Sequence, residues 1–173
     1  MNKAIFLDRD GTINVEVNYL HECEKLRLLP GVVKALKLLK KQGYKLIVIS
    51  NQSGVGRGYF TYDDVVKVNE YLNEVLRKDG IEIDAFYCCP HTEEDNCDCR
   101  KPKTGLYKKA VKEHDIDITN SYMVGDKVSD IMAADEMGCG YGLLLSGHDI
   151  DEKDYLKYKD YCYKDLLEFA QSL

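Results

Sequence analysis

The stretch "AIFLDRDGTIN" (residues 4–14) decides the reading of this chain. Ala4 to Leu7 form a short, uninterrupted apolar run, the pattern of a strand covered on both faces in a parallel sheet. The run ends abruptly on Asp8 and Asp10, one residue apart, and then on Gly11-Thr12. Carboxylates this close repel one another, so the folded state must supply compensating charge. As plain turn formers with Gly11, the two aspartates would need no such partner. The rest of the sequence decides between these readings.

A length of 173 residues suits a single domain, 1–173, with a core of its own. The hydrophobic content of 45% with 31% charged residues is that of a globular, water-exposed chain. A net charge of −6 argues against general nucleic-acid binding, which favours a basic face. It says little about a small anionic substrate, because a metal ion and a few local cations can reverse the local field. Apolar runs are far shorter than the ~20 residues of a membrane span, so no membrane partner is expected. With no basic-plus-hydrophobic leader at residue 1, the expected location is the cytoplasm. The seven cysteines are odd in number, which weakens a disulfide framework and directs attention to their clustering.

Apolar periodicity then alternates between two and 3.6. Strands are expected at Ala4–Leu7, Lys45–Ser50, Ile83–Cys88, Tyr122–Gly125 and Tyr141–Leu145, and helices over roughly 31–42, 62–79, 104–115, 128–137 and 163–172. Pro30 and Gly43 bracket the first helix, and Thr61 with Asp64 marks the start of the second. Strands alternating with helices imply right-handed crossovers and an α/β, doubly wound parallel sheet with no large cap domain. Such sheets bind ligands at the carboxyl ends of their strands.

That edge collects the polar residues. Asp8 and Asp10 follow the first strand, Ser50-Asn51 end the second, Asp126 follows the fourth, and Arg100-Lys101 precede the helix near Thr104. Carboxylates, a hydroxyl and two cations are the parts phosphoryl transfer requires: a nucleophile, an acid, and positive charge on the phosphoryl oxygens. Oxygen donors favour Mg²⁺, and Asp8, Asp10 and Asp126 can serve it.

The motifs "FLDRDGT", "VISNQSG", "CRKP" and "YMVGDKVSD", in this order across residues 4–130, resemble the four motifs of the haloacid dehalogenase superfamily of aspartate-nucleophile phosphatases. The resemblance implies that Asp8 is phosphorylated and that Asp10 protonates the leaving group and then activates water. It implies Mg²⁺ on Asp8, on the backbone carbonyl of Asp10 and on Asp126, with Asp130 supporting the metal's water shell. Ser50 and Lys101 would stabilise the phosphoryl oxygens. Arg9 would point away from its flanking aspartates on an extended chain and has no assigned role.

Residues 88–102, "CCPHTEEDNCDCRKP", are irregular and nearly free of apolar groups. Cys89 and His91 form one C-x-H pair, and Cys97 and Cys99 a C-x-C pair. Three thiols and one imidazole suit a closed, tetrahedral, structural Zn²⁺ site, which would fix Arg100 and Lys101 at the sheet edge. A disulfide is the competing reading, disfavoured in a reducing compartment. Cys88 falls on the other side of its strand and reads as core. Cys23, Cys139 and Cys162 read as packing cysteines, His21, His114 and His148 as surface or cap residues, and the Tyr-rich segment from Tyr155 to Tyr163 as packing.

Within the superfamily, the zinc loop resembles a small capless group that takes in heptose-bisphosphate and histidinol-phosphate phosphatases. The stretches "DRDGTINVEVNYLHE", "NQSGVGRGYFT" and "CDCRKPKTGLY" are similar to the heptose enzymes, over the chain to about Gly147. The expectation is removal of the 7-phosphate of D-glycero-D-manno-heptose 1,7-bisphosphate, in nucleotide-activated heptose synthesis, by a monomer. Glu16, Val17, Asn18, Tyr19, Asn51, Gln52 and Ser53 would contact this phosphorylated sugar. Arg100, with Lys127 nearby, would hold its far phosphate, since a planar fork suits a phosphate that is bound and not cleaved. Arg57 reads equally as added charge at the same rim or as a surface arginine at a helix start. Histidinol phosphate is the alternative substrate, and a non-catalytic zinc-stabilised binding module the alternative of another class.

Overall fold

Alternation within β1 (Ala4–Leu7) sets the layers of the fold. Ala4 and Phe6 face one side of the sheet and Ile5 and Leu7 the other, and all four are fully buried. In the computed structural model, which describes residues 1–146 and 149–173, β1 lies between β2 (Lys45–Asn51) and β4 (Tyr122–Gly125). With β3 (Ala85–Cys89), β5 (Gly140–Leu144) and β6 (Cys162–Tyr163), the order is β3-β2-β1-β4-β5-β6, every pair parallel. The chain runs outward from β1 to β3 and returns to β4, so the winding reverses at β1 and β4. A ligand crevice forms at such a reversal, outside the carboxyl ends of the strands.

Helices α1 (Val32–Lys41), α2 (Ser53–Gly56), α3 (Tyr62–Arg77), α4 (Gly105–His114), α5 (Val128–Met137), α6 (Glu152–Tyr158) and α7 (Leu166–Ser172) follow in chain order. Leu36 and Leu39 of α1, Val68 and Leu72 of α3, and Phe169 of α7 pack with Ile5, Leu7 and Val48 on one face. Tyr107 and Ala110 of α4 and Ala133 and Ala134 of α5 pack with Phe6, Ile47 and Ile49 on the other. Thr61 caps α3 reciprocally with Asp64, the side chain of each taking the other's backbone N–H. Gly43, at φ +87°, turns the chain out of α1 as its position implied.

Several boundaries differ from expectation, each for a local reason. β3 starts at Ala85 and not Ile83, because the Asn73 side chain takes both backbone groups of Ile83, at 2.8 and 3.1 Å. β2 and β3 each run one residue further, as Asn51 pairs with Cys89. The short α2, α6 and β6 were not legible, and the last helix begins at Leu166, capped by Asp165, and not at 163. The Tyr-rich segment divides. Tyr158 and Tyr163 pack inward, while Tyr155 and Tyr161 are exposed. His148 lies outside the described residues. Among the described residues no helix is long and apolar enough to cross a membrane.

Leu36→Ala removes a fully buried side chain from the α1–sheet contact. It is expected to lower the unfolding free energy by about 2–5 kcal/mol, read from urea denaturation midpoints.

Candidate active site

The end of β1 delivers Asp8 to the sheet edge, where its backbone N–H still bonds Val124 of β4 at 3.1 Å. From there the chain turns tightly, with Arg9 O accepting the N–H groups of Thr12, Ile13 and Asn14. Gly11 holds φ +83°, and a Cβ there would overlap the Asp126 carboxylate. A Cβ on Gly125 would likewise overlap Asp130. These glycines let two further carboxylates close on Asp8, so that Asp8, Asp126 and Asp130 bring oxygens within 4.8 Å of one another, all buried.

Lys101 compensates part of this charge. Its buried Nζ lies 3.1 Å from Asp8 Oδ1 and 2.6 Å from Asp130 Oδ1, and it donates to Ile49 O at 2.6 Å. Burial opposes its charge, but Asp130 and Asp8 outweigh that and hold its pKa above the ordinary lysine value. Asn51 ties this loop to β2 by exchanging two bonds with the backbone of Lys101, at 3.0 and 3.2 Å. Lys101, with Lys127 acting from the rim, still leaves an excess of negative charge over the three carboxylates. Burial, then Asp8 and Asp130, push the Asp126 carboxyl up to about 8. An all-oxygen donor set in this state fits a hard divalent cation such as Mg²⁺.

The Asp10 side chain stands apart from the three clustered carboxylates and turns to nitrogen donors, so any part Asp10 takes in holding Mg²⁺ falls to its backbone carbonyl, as the family resemblance implies. Asn14 Nδ2 donates to the Asp10 carboxylate at 2.9 Å, Gln52 Nε2 at 3.1 Å, and Arg9 Nε and Nη2 at 3.2 Å each. Burial raises the pKa of Asp10, but Arg9, Asn14 and Gln52 together bring it below the ordinary carboxylate value. Arg9 therefore does not point away from Asp10, because the backbone here is a tight turn and not an extended strand. Gln52 Nε2 also donates to Ser50 Oγ at 2.7 Å, linking the buried serine to Asp10.

Over these groups opens a cleft of about 560 Å³. Asp8, Asp10, Lys101, Glu16, Asn18, Tyr19, Asn51, Gln52, Ser53, Arg100 and Lys127 line it. Ser50 and Asp126 lie buried beneath, and Val17 and Arg57 are not among the lining residues. Thr92, Glu93, Asn96 and Ser129 are, and although they lie within the quoted motif and loop, the sequence reading gave them no role. Both rim cations are paired with rim carboxylates: Arg100 with Glu93 at 3.4 Å, and Lys127 with Glu16 at 3.8 Å.

Beside the cleft, Cys89, His91, Cys97 and Cys99 converge within 4.8 Å. Cys89 Sγ lies 3.7 Å from Cys97 Sγ and 3.0 Å from Cys99 Sγ, while His91 Nδ1 lies 3.5 and 3.3 Å from Cys89 and Cys99. A tetrahedron with Zn–S bonds of about 2.3 Å has S···S edges of about 3.8 Å, so the cluster is near the size such an ion needs. The cysteines are free thiols. Cys88 packs on the opposite side of β3 with Phe60 and Val65, as its parity implied.

A family model described as polynucleotide kinase 3 phosphatase matches residues 3–173. A D-glycero-beta-D-manno-heptose-1,7-bisphosphate 7-phosphatase of Haemophilus influenzae is 48% identical over 139 residues, 77% of this chain and 76% of that protein. One of the same name from Helicobacter pylori is 46% identical over 146 residues, covering 84% of each. The chain belongs to this phosphatase family of the haloacid dehalogenase superfamily. A crystal structure of D,D-heptose 1,7-bisphosphate phosphatase from B. bronchiseptica, complexed with magnesium and phosphate, superposes with a TM-score of 0.86 at 29% identity, over 98% of this chain and 97% of that one. The Burkholderia thailandensis enzyme of that name gives 0.71 at 28% identity, over 99% and 97%. Like the family, the protein is an enzyme, a phosphatase.

Two outcomes test the site. Elemental analysis is expected to find one equivalent of zinc in the wild type and none in Cys97→Ser, whose thermal transition should also fall. Gly11→Ala should cost about 1–2 kcal/mol in backbone strain, measured by denaturation, and abolish Mg²⁺ binding measured by calorimetry.

Proposed function

We propose that the protein removes the 7-phosphate of D-glycero-D-manno-heptose 1,7-bisphosphate through a phosphorylated Asp8, in nucleotide-activated heptose synthesis. The observation that carries this reading is one cleft holding a buried Asp8, paired with Lys101 at 3.1 Å, together with two further cations, Arg100 and Lys127, among its lining residues. A bisphosphate needs both. The names of the relatives support the same substrate.

In the first step an Asp8 oxygen bonds to phosphorus as the bond from phosphorus to the sugar oxygen breaks, and the Asp10 carboxyl gives its proton to that oxygen. In the second step water attacks phosphorus and passes its proton to Asp10, and the Asp8–phosphorus bond breaks to release inorganic phosphate. At rest Asp10 is held as the carboxylate. The incoming phosphate is a like charge, which favours the protonated carboxyl that the first step needs. Lys101 and the Ser50 hydroxyl hold charge on the transferring oxygens. Asp8, Asp126 and the backbone carbonyl of Asp10 would hold Mg²⁺, with Asp130 behind them, and the ion would neutralise the crowded oxygens. Cys89, His91, Cys97 and Cys99 would hold Zn²⁺ and keep the Arg100–Lys101 loop in shape.

Arg100 and Lys127 would bind the far phosphate by exchanging Glu93 and Glu16 for it. Glu16, Asn18, Tyr19, Asn51, Gln52 and Ser53 would contact the sugar. The reading takes residues 1–173 as one domain, acting as a cytoplasmic monomer without nucleic-acid or membrane partners. A net charge of −6 and a cleft lined by carboxylates support a small substrate over the polynucleotide named in the family description.

Phosphate release with Mg²⁺ from both anomers of the heptose bisphosphate, beside histidinol phosphate, tests this. Strong preference for one heptose anomer is expected, lost by ~10³-fold or more in Asp8→Asn, as when a covalent nucleophile is removed. Preference for histidinol phosphate would overturn the substrate, and turnover surviving in Asp8→Asn would overturn the mechanism.

A further inference from the structure

Arg9 heads the fully buried side chains by size among the described residues, with no solvent exposure at all. A buried guanidinium is tolerated only where its charge and N–H groups find partners. Its Nε and Nη2 reach the two oxygens of the Asp10 carboxylate, one each, at 3.2 Å. Nη1 donates to Asn69 Oδ1 at 2.8 Å. Asn69 sits on the buried face of α3, and its Nδ2 is 3.5 Å from Cys88 Sγ on β3.

An arginine that only joined the turn to α3 could spend its fork on backbone carbonyls. Here the fork is spent on both oxygens of one side chain, and that side chain lines the cleft. Two parallel bonds fix the plane of a carboxylate, which a single bond leaves free to rotate. Asn14 and Gln52 complete the four acceptor positions of Asp10. Each of these two amides has a second acceptor in hand, Asn14 in Val15 O at 3.2 Å and Gln52 in Ser50 Oγ at 2.7 Å, but of the two only Gln52 lines the cleft, so Oδ2 is the oxygen that can be released towards a substrate while the Arg9 fork stays in place.

We propose that Arg9, braced by Asn69, is a positioning residue that fixes the plane of the Asp10 carboxyl for proton transfer to the leaving oxygen. The proposal rests on the role given to Asp10 above. Arg9 touches neither the substrate nor phosphorus. It acts through Asp10 alone, which separates it from residues that only maintain the fold. If it acts this way, its loss matters in proportion to how much the leaving group needs a proton.

The test compares kcat/KM, which reports the first chemical step, for 4-nitrophenyl phosphate and for whichever alkyl phosphate the Asp8-dependent assay selects. The aryl leaving group departs without protonation, and the alkyl group does not. In Arg9→Met the alkyl ester is expected to lose ~10²–10³-fold, the scale of general acid catalysis, and the aryl ester less than ~10-fold. Arg9→Lys should restore part of the alkyl rate, and Asn69→Leu should show the same selectivity with a smaller loss. These two variants carry the test if Arg9→Met fails to fold. Equal losses on the two esters in the folded variants would overturn the proposal. Asp10→Asn serves as the reference. Selectivity there with none in the Arg9 and Asn69 variants defeats the positioning role alone, whereas no selectivity in Asp10→Asn defeats the role of Asp10 and the proposal with it.

Discussion

Mutual repulsion among Asp8, Asp126 and Asp130 is the constraint around which this molecule is arranged. Three buried carboxylates within 4.8 Å are unfavourable for any chain that only has to fold. Lys101 answers part of that repulsion and must therefore be buried with them, which in turn obliges the loop carrying it to dock tightly against β2. The remaining negative charge would favour a divalent cation, and that cation would in turn make the site hospitable to a phosphoryl group. Stability has been exchanged for chemistry at one edge of the sheet, and the two apolar layers behind it supply the difference.

Asp8 and Asp10 show how one tripeptide provides two unlike carboxyl groups. Asp8 faces a lysine and two other acids. Asp10 faces a guanidinium and two amides, and lies below its ordinary pKa for that reason. A tight turn, and not the alternation of a strand, separates the two environments. The same turn requires Gly11, since any side chain there would occupy the space of Asp126.

Much of this was legible because the fold follows from short-range pattern. Short, largely apolar segments placed β1, β2, β4 and β5 within a residue of their bounds, and the polar residues at their ends had nowhere to go but the common edge. The convergence of Cys89, His91, Cys97 and Cys99 was legible from spacing alone, since four such side chains in eleven residues leave few partners but each other. What escaped depended on long-range contacts. That Arg9 meets Asn69, sixty positions away, cannot be read from the residues beside it. One signal was available: Asn69 and Asn73 fall on the inward stripe of α3 with Val65, Val68, Leu72 and Leu76, and polar residues on a buried stripe need partners. Asn73 in fact shortens β3 by capping Ile83. The two-residue β6 and the single-turn α2 are too short for periodicity to reveal.

β3 presents neighbouring cysteines to opposite sides of the sheet. Cys89 joins the prospective zinc ligands, and Cys88 meets the Asn69 amide that braces Arg9. One strand thus sets the phase of two separate polar assemblies, and a slip of a single residue would exchange their ligands. Insertions and deletions between Ala85 and Cys89 are for that reason forbidden twice over. The turn at Glu93–Asp95 lies outside the sheet and carries none of the four clustered side chains, so a change of length there would reach the cleft rim through Glu93 and leave the phase of β3 untouched.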